Sequence, residues 1–259
     1  MVRNENLKLK TIGKFKMFYR PGTADEINVN SWSFDYNKSV DPFYRVRERD
    51  QIVVIGAHIG FHEIFFANRA FAGQVFAIEP ESCNFFILKK NIAINNLKNI
   101  VCDRMVISKS SGKNKLFYGK DTNAHSIIEK SSKFETIDSL TLQDYFQKRN
   151  ISVCDLVKMN CEGAEFEIIL NTKPEFLKRI KNFIISYHNE RAERYTKREM
   201  VKYLQKNNFK VICVKFDRNH GWLIAFQKPC FDRLKYYWFS KLANYLKFIK
   251  IQFRKVCFL

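Results

Sequence analysis

The feature that most constrains the fold is a pair of short apolar runs, each of which ends in residues suited to holding a ligand. The first run, 51–55, leads into Gly56-Ala-His-Ile-Gly60, and the second, 75–78, ends in Glu79-Pro80. A strand, a glycine-containing turn, an amphipathic stretch and a second strand that ends in an acid are the parts of a nucleotide-binding α/β unit. This order predicts a nucleoside-bearing cofactor at two neighbouring strand tips, and it indicates an enzyme.

Strand-like and helix-like segments alternate through the rest of the chain. Apolar runs typical of strands are 100–107, 115–118, 134–137, 153–159 and 182–188. Helical spacing is present over 81–95, 141–148 and 192–206. The runs 209–216 and 221–227 predict a closing hairpin. Together these patterns predict the α/β class, with a mostly parallel sheet, a terminal antiparallel hairpin and helices on both faces.

The length of 259 residues and the 46% hydrophobic content suit one large domain with terminal extensions. We predict a strand-poor lead-in over 1–50 that packs on the main domain, a main domain over 51–228 and a basic, aromatic helical tail over 229–259. Residues 1–20 hold six Lys or Arg against one Glu, and residues 228–259 hold eight against one Asp. Basic ends suggest an anionic membrane or nucleic acid as a neighbour, and solvated ends are the simpler alternative.

The tail 229–259 has a roughly amphipathic pattern. Its apolar positions are Trp238, Phe239, Leu242, Tyr245, Leu246 and Ile249, and lysines lie between them. This pattern predicts either contact with a membrane interface or a final helix that docks on the domain through the same side chains.

The cysteines and the absence of long apolar runs indicate the compartment. Seven cysteines form no C-x-x-C pair, and their odd number argues against a disulfide framework and for a reducing, cytoplasmic environment. The first residues lack the apolar core of a signal peptide, and no apolar run approaches the roughly 20 residues that a spanning helix requires. We therefore expect a soluble protein or one that is peripheral on a membrane.

The first candidate site is the turn after residue 55 together with the acid that ends the next strand. Gly56, Ala57, His58 and Gly60 would bring bare backbone and free N–H groups close to a ligand. Glu79 ends an apolar run, where an unpaired carboxylate is costly, and it can accept both hydroxyls of a ribose. The alternative is a glycine turn kept for steric reasons beside a solvated acid.

The second candidate site follows the strand at 153–159. Asn160 and Glu162 come where that strand ends, at the edge where open α/β sheets hold their ligands. Glu162 alternatively caps the helix that follows it, where negative charge is favourable. His188 ends the strand 182–188 at the same edge and is a candidate base, although a structural role is equally open.

The remaining histidines are weaker signals. His58 and His62 have i, i+4 spacing, but no third ligand is obvious, so we predict no metal site. His125 and His220 lie in polar turns and are most simply surface residues.

At these residues the chain resembles the FkbM family of S-adenosylmethionine-dependent methyltransferases. The similarity runs from about Phe18-Tyr-Arg-Pro-Gly-Thr23 to about His188. It is carried by Val-Ile-Gly-Ala-His-Ile-Gly60, Phe-Ala-Ile-Glu-Pro80, Asn91-Ile-Ala-Ile-Asn-Asn-Leu-Lys-Asn99 and Val-Lys-Met-Asn-Cys-Glu-Gly-Ala-Glu165. Four ordered segments at family-like spacing are more specific than any one of them, and the tail after about 228 lies outside the similarity.

The resemblance implies a Rossmann-like methyltransferase fold with S-adenosylmethionine as the cofactor. Its methionine part would lie near Gly56–Gly60, and its ribose on Glu79 beside Pro80. Its adenine would lie near Asp103–Val106, which makes Asp103 a candidate cofactor residue. The reaction implied is methyl transfer to an oxygen of a sugar, glycan or secondary metabolite.

Three departures from the family pattern bear on activity. The family commonly has Asp where this chain has Val54 and Asn160, and Glu where it has Ser186. Val54 in place of Asp would weaken cofactor binding. Asn160 still donates and accepts hydrogen bonds but cannot be a base, which moves a base role to Glu162 or His188.

Two alternatives remain open at this point. A degenerate homologue would act as a membrane-associated scaffold without catalysis, and an RNA methyltransferase would use the basic surface. Against RNA, the excess positive charge lies in the termini, and no aromatic clamp for a flipped base is present. We expect acceptor selection from residues 20–50 and the loop 119–133, and the sequence indicates neither the acceptor nor the oligomeric state.

Overall fold

The computed structural model describes residues 6–31, 44–191, 195–215, 217 and 219–227. In chain order its elements are β1 (Lys8–Ile12), β2 (Phe15–Tyr19), α1 (Ala24–Ser31), β3 (Gln51–Ile55), α2 (Phe61–Arg69), β4 (Gln74–Ile78), α3 (Ser82–Ile94), β5 (Ile100–Asp103), β6 (Val106–Ile107), β7 (Gly112–Phe117), β8 (Phe134–Leu140), α4 (Leu142–Lys148), β9 (Leu156–Met159), α5 (Ala164–Leu170), α6 (Pro174–Leu177), β10 (Asn182–His188), α7 (Lys197–Lys206), β11 (Phe209–Lys215) and β12 (His220–Gln227).

A mostly parallel sheet lies at the centre of the fold. Among the described residues it has seven strands in the order β11-β12-β10-β9-β3-β4-β5. β12 runs antiparallel to both β10 and β11, which confirms the predicted terminal hairpin. The chain moves outward in one direction through β3, β4 and β5 and in the other through β9 and β10. The strand order therefore reverses between the neighbouring strands β3 and β9. This topological switch point is where α/β sheets bind their ligands.

Helices cover both faces of this sheet, as the unbroken apolar runs predict. All four residues Ile52–Ile55 are buried, and they alternate between two cores. Ile52 and Val54 pack with Phe66 of α2 on one face. Val53 and Ile55 pack with residues of α4 to α7 on the other. A strand buried on both sides needs apolar residues at every position, which is why no polar alternation is visible there.

The N-terminal segment differs from its prediction. β1 and β2 form an antiparallel hairpin, so the expectation of a strand-poor lead-in is wrong. Phe15, Met17 and Tyr19 alternate inward and pack against Ile87 of α3. The backbone of Phe18 exchanges two hydrogen bonds with the side-chain amide of Asn91, at 2.6 and 3.1 Å. Five-residue strands around a two-residue turn leave too short an alternation to detect in the sequence.

Two predicted elements have different ends because of local capping and pairing. The helix predicted over 192–206 begins at Lys197, where Thr196 and Glu199 form a capping box. The strand predicted over 100–107 is two strands, because β5 pairs with β4 whereas β6 pairs with β8 in a separate sheet. The predicted tail 229–259 lies outside the described residues. None of the described helices is long and apolar enough to cross a membrane.

Candidate active site

A cavity of about 330 Å³ opens at the carboxyl edge of the sheet, over the switch point. The tips of β3 and β4 lie side by side there, as predicted. Seven of the predicted site residues line the cavity: Gly56, Ala57, His58, Glu79, Pro80, Asn160 and Glu162. The predicted site residues Gly60, Asp103 and His188 are not among the described residues that line it.

The turn after β3 is held by backbone contacts that exclude side chains. Gly56 has a φ of 80°, and a Cβ added there would lie 1.9 Å from the carbonyl oxygen of Asn160. Gly60 has a φ of 97°, and a Cβ there would lie 2.8 Å from Leu88. Gly60 therefore allows α2 to begin close to α3, and its role in binding the cofactor stays a prediction.

The Glu79 carboxylate is buried and points at the same turn. It accepts the backbone N–H of His58 at 2.8 Å, that of Glu81 at 3.0 Å and the Asn84 amide at 3.2 Å. Burial raises the pKa of Glu79, and these donors oppose the rise. A carboxylate has about four acceptor sites, so about one remains for a ligand. Accepting both hydroxyls of a ribose would require that one of the present donors, such as the Asn84 amide, gives way.

The structure corrects the role predicted for Asp103. Its carboxylate accepts the Tyr145 hydroxyl at 2.8 Å and the Arg149 guanidinium at 2.8 Å. Both partners come from α4 and its end, so the acid ties β5 to that helix. Asp103 is thus occupied by a structural ion pair, and the apolar residues Met105–Ile107 line the cavity in its place.

Glu162 lies at the opposite side of the cavity from Glu79, in the left-handed region with a φ of 53°. One carboxylate oxygen accepts from Arg191, and the other lies 3.6 Å from His188 Nε2. Burial raises the pKa of Glu162, and the charges of His188 and Arg191 oppose the rise. Gly163 is the N-cap residue of α5, and Glu165 rather than Glu162 accepts its backbone N–H, at 2.9 Å, so the alternative that Glu162 serves as the cap is wrong.

His188 reaches the cavity only through Glu162. Its Nδ1 lies 3.0 Å from Oε1 of the buried Glu165, which also accepts the His188 backbone N–H at 2.8 Å. Burial by itself lowers the pKa of His188, but the Glu165 and Glu162 carboxylates outweigh it, and the net shift is upward. The arrangement favours a charged imidazole that positions Glu162, and it makes His188 unsuited to be the base itself.

Long-range contacts bring further residues into the cavity wall. Asn28 of α1 and the loop residues Thr122, Asn123 and His125 line it. The prediction that His125 is a surface residue is therefore wrong. Sequence reasoning assigned acceptor selection to these two segments but gave none of the four residues a role in the site, because no local pattern indicates where a loop folds.

A buried acid joins these segments to the turn after β3. Asp25 of α1 accepts from Arg20 at 2.7 Å and from the Thr122 hydroxyl at 2.9 Å, and it lies 3.0 Å from Nε2 of His58. Burial raises the pKa of Asp25, but the His58 and Arg20 partners outweigh it and leave the pKa well below the usual range. This network holds α1 and the loop against the cavity.

The model of the methyltransferase FkbM domain matches residues 55–211, which is more than half of the chain. The chain belongs to the FkbM methyltransferase family. This confirms the resemblance stated from the sequence, the Rossmann-like methyltransferase fold and S-adenosylmethionine as the cofactor. The matched range lies within the main domain predicted over 51–228.

Two solved structures with a similar fold are remote from this FkbM chain in sequence. The Methanococcus jannaschii fibrillarin pre-rRNA processing protein has 16% identity and a TM-score of 0.49, covering 88% of this chain and 84% of its own. M. jannaschii TYW2 in complex with AdoMet has 16% identity and a TM-score of 0.43, covering 85% and 84%. No curated protein sequence matches the chain. Similarities of this size say nothing about the acceptor.

Val54, the first departure from the FkbM pattern, lies in the core of the fold. Val54 is fully buried in the core on the α2 face and is not among the described residues that line the cavity. Ser186, the third departure, does line the cavity. Two of the three departures, Asn160 and Ser186, therefore lie in the cavity wall.

Glu63 of α2 is a buried acid that is not among the described residues lining the cavity. Both carboxyl oxygens lack a hydrogen-bond partner among the described residues, and burial raises the pKa to about 7, although the charge of Lys158 opposes the rise. Because the folded state disfavours the charged form, the free energy of unfolding should fall as pH rises from about 4.5 to about 7 and then stay constant.

Glu63→Gln should remove this loss of stability. We expect the variant to match the wild type at pH 4 and to be more stable by about 3 kcal/mol at pH 8. Urea unfolding at both pH values measures the difference, with Glu175→Gln on the exposed surface of α6 as the control. A variant that keeps the wild-type dependence on pH would contradict this account of Glu63.

Proposed function

We propose that the protein transfers a methyl group from S-adenosylmethionine to a hydroxyl oxygen of a small acceptor, a sugar, glycan or secondary metabolite. The proposal is carried by one observation: two carboxylates line the same cavity from opposite sides. Glu79 is placed as the acid that binds ribose hydroxyls would be, and Glu162 lies across the cavity from it. The first suits the cofactor, and the second suits an acceptor that must lose a proton. The cavity is walled by loops from several elements, which favours a small molecule.

We assign the turn after β3 and the end of β4 to the cofactor. The backbone of Gly56, Ala57 and His58 would hold the methionine part, and the remaining acceptor site of Glu79 beside Pro80 would take a ribose hydroxyl. The apolar residues Met105–Ile107 would cover the adenine. His58 also has a left-handed φ of 52°, which directs its backbone N–H to Glu79 and couples the two parts of the site.

The catalytic side is proposed to work through proton removal and alignment. S-adenosylmethionine, when bound, would supply an electrophilic methyl group, whose bond to sulfur would break as the bond to the acceptor oxygen forms. Glu162 takes the proton of the acceptor hydroxyl, and Arg191 and His188 stabilise its ionised form beforehand. Asn160 positions the acceptor by hydrogen bonds, since its amide cannot be a base.

Cofactor binding and methyl transfer test the proposal in turn. The full-length protein should bind S-adenosylhomocysteine in calorimetry and should transfer labelled methyl groups to a hydroxylated small molecule from a panel of sugars, nucleotide sugars and phenols. Absence of binding at millimolar concentration would favour a non-catalytic scaffold. Transfer of the label to RNA but to none of the small molecules would show that the acceptor is RNA and not a small molecule. Membrane contact through 229–259 stays a prediction from the sequence.

A further inference from the structure

Three polar side chains on one wall of the cavity lack a protein partner. Lys158, Asn160 and Ser186 all line the cavity. Within the part of the chain that the structure describes, none of these side chains forms a hydrogen bond or an ion pair. Polar groups in a partly closed cavity are costly to leave unpaired, so this wall is built for a ligand.

The sheet register places these groups together. Lys158 of β9 lies opposite Ile184 of β10, and Ser186 of β10 lies opposite Trp222 of β12. Residues two apart on a strand share a face, so Asn160 and Ser186 follow on the same side as Lys158 and Ile184. This wall belongs to the strands on the far side of β3 from β4 and Glu79.

No acid among the described residues forms an ion pair or a hydrogen bond with the Lys158 ammonium. Burial lowers the pKa of Lys158 and the charge of Glu63 opposes this fall, but neither Glu63 oxygen has a hydrogen-bond partner. Glu162 is already bound to Arg191. A half-buried ammonium without a partner is stabilised when a ligand brings a negative charge.

Aromatic rings complete the same part of the cavity. Phe61 and Phe65 of α2 and Trp222 of β12 line it, together with the aliphatic Ile184. Flat aromatic faces pack against the apolar face of a ring-shaped ligand, and polar groups around the edge then bind its substituents.

We propose that this wall is the acceptor site and that the acceptor is a hydroxylated ring carrying a carboxylate or a phosphate. Lys158 pairs with the anionic group, Ser186 and Asn160 hydrogen-bond the ring substituents, and the aromatic rings pack on its face. The inference rests on the proposed methyl transfer and narrows its substrate class.

The carboxylate of the cofactor is the rival partner for Lys158. Lys158 lies opposite Val54, two residues before Gly56 and therefore roughly 7 Å along the strand below the turn that would hold the cofactor. Its neighbours on the wall come from β10 and β12, which lie away from Glu79. This position favours the acceptor over the cofactor.

Matched ligands that differ in charge test the proposal. The full-length protein, saturated with S-adenosylhomocysteine, is titrated by calorimetry with glucuronate, glucose 6-phosphate and glucose. We expect at least one charged sugar to bind about 10-fold or more tightly than glucose. Lys158→Met should weaken that binding by about 10- to 100-fold. Lys113→Met, at an exposed ion pair with Asp138, is the matched control and should change nothing.

The possible results separate the two proposals. Equal affinity for glucose and the charged sugars, no binding of either charged sugar, or an unchanged preference in Lys158→Met would overturn the anionic acceptor and leave methyl transfer standing. A loss of S-adenosylhomocysteine affinity in Lys158→Met would assign Lys158 to the cofactor, and it would also overturn the proposal of an anionic acceptor. Failure of the wild type to bind S-adenosylhomocysteine would end the methyl-transfer proposal itself.

Discussion

Glu79→Ala should lower the affinity for S-adenosylhomocysteine by about 100-fold or more. The carboxylate would bind a ribose hydroxyl through a charge-assisted hydrogen bond, and it also fixes the turn after β3 through the His58 N–H. The substitution therefore removes the contact with the ribose. It also removes the support of the turn backbone, which forms the contact with the methionine part of the cofactor. Calorimetry with the purified variant measures the change directly.

Two substitutions control for damage to the fold. Glu79→Gln keeps the side-chain volume, so it should fold and still bind weakly, because the amide nitrogen meets N–H donors where an acceptor is needed. Glu81→Gln changes the adjacent buried acid, which accepts from Cys83 and Asn84 and caps α3 without lining the cavity. It should lose stability but keep its cofactor affinity. Unchanged affinity in Glu79→Ala would remove Glu79 from the site.

The residues that sequence reasoning found are those whose role follows from a local pattern. Glu79 follows directly on an apolar run and Glu162 lies three residues after one, and parallel strands bring their carboxyl ends to one edge of the sheet. Such an argument needs only the strand and the few residues after it. It therefore identified both carboxylates of the cavity without knowledge of their partners.

The role of Asp103 was implied by the family resemblance and had no such local support. Asp103 lies inside the predicted strand 100–107, whereas in the structure it ends β5. Arg149, 46 residues further on, binds its carboxylate and removes it from the cavity. An ion pair between distant residues decides whether a strand-ending acid faces a ligand, and a single sequence does not contain that information.

Lys158 was missed although a signal was present. A lysine inside the run 156–159, where the other three residues are buried, is unexpected for a strand that is covered on both faces. A half-buried lysine in such a strand indicates a functional group. The residues of the loop 119–133 carried no comparable sign, because their position depends on contacts such as that of Thr122 with Asp25.

Glu162→Gln should lower kcat by about 100- to 10,000-fold and leave the affinity for S-adenosylhomocysteine unchanged. The amide keeps the shape of the side chain but cannot take the acceptor proton. The measurement is methyl transfer at saturating cofactor, with the best small-molecule acceptor found in the panel. Glu167→Gln, on the same segment but paired with Lys109, is the matched control and should keep full activity.

The dependence of kcat on pH gives a second, independent test of the same base. Glu162 must be ionised to act, and burial raises its pKa, so kcat should fall on the acid side at a higher pH than for an ordinary carboxyl. The charge of His188 holds that pKa down. His188→Gln should therefore move the fall to still higher pH, whereas a merely structural histidine would lower kcat equally at every pH. A full-rate Glu162→Gln enzyme would show that alignment alone, without a protein base, drives the transfer.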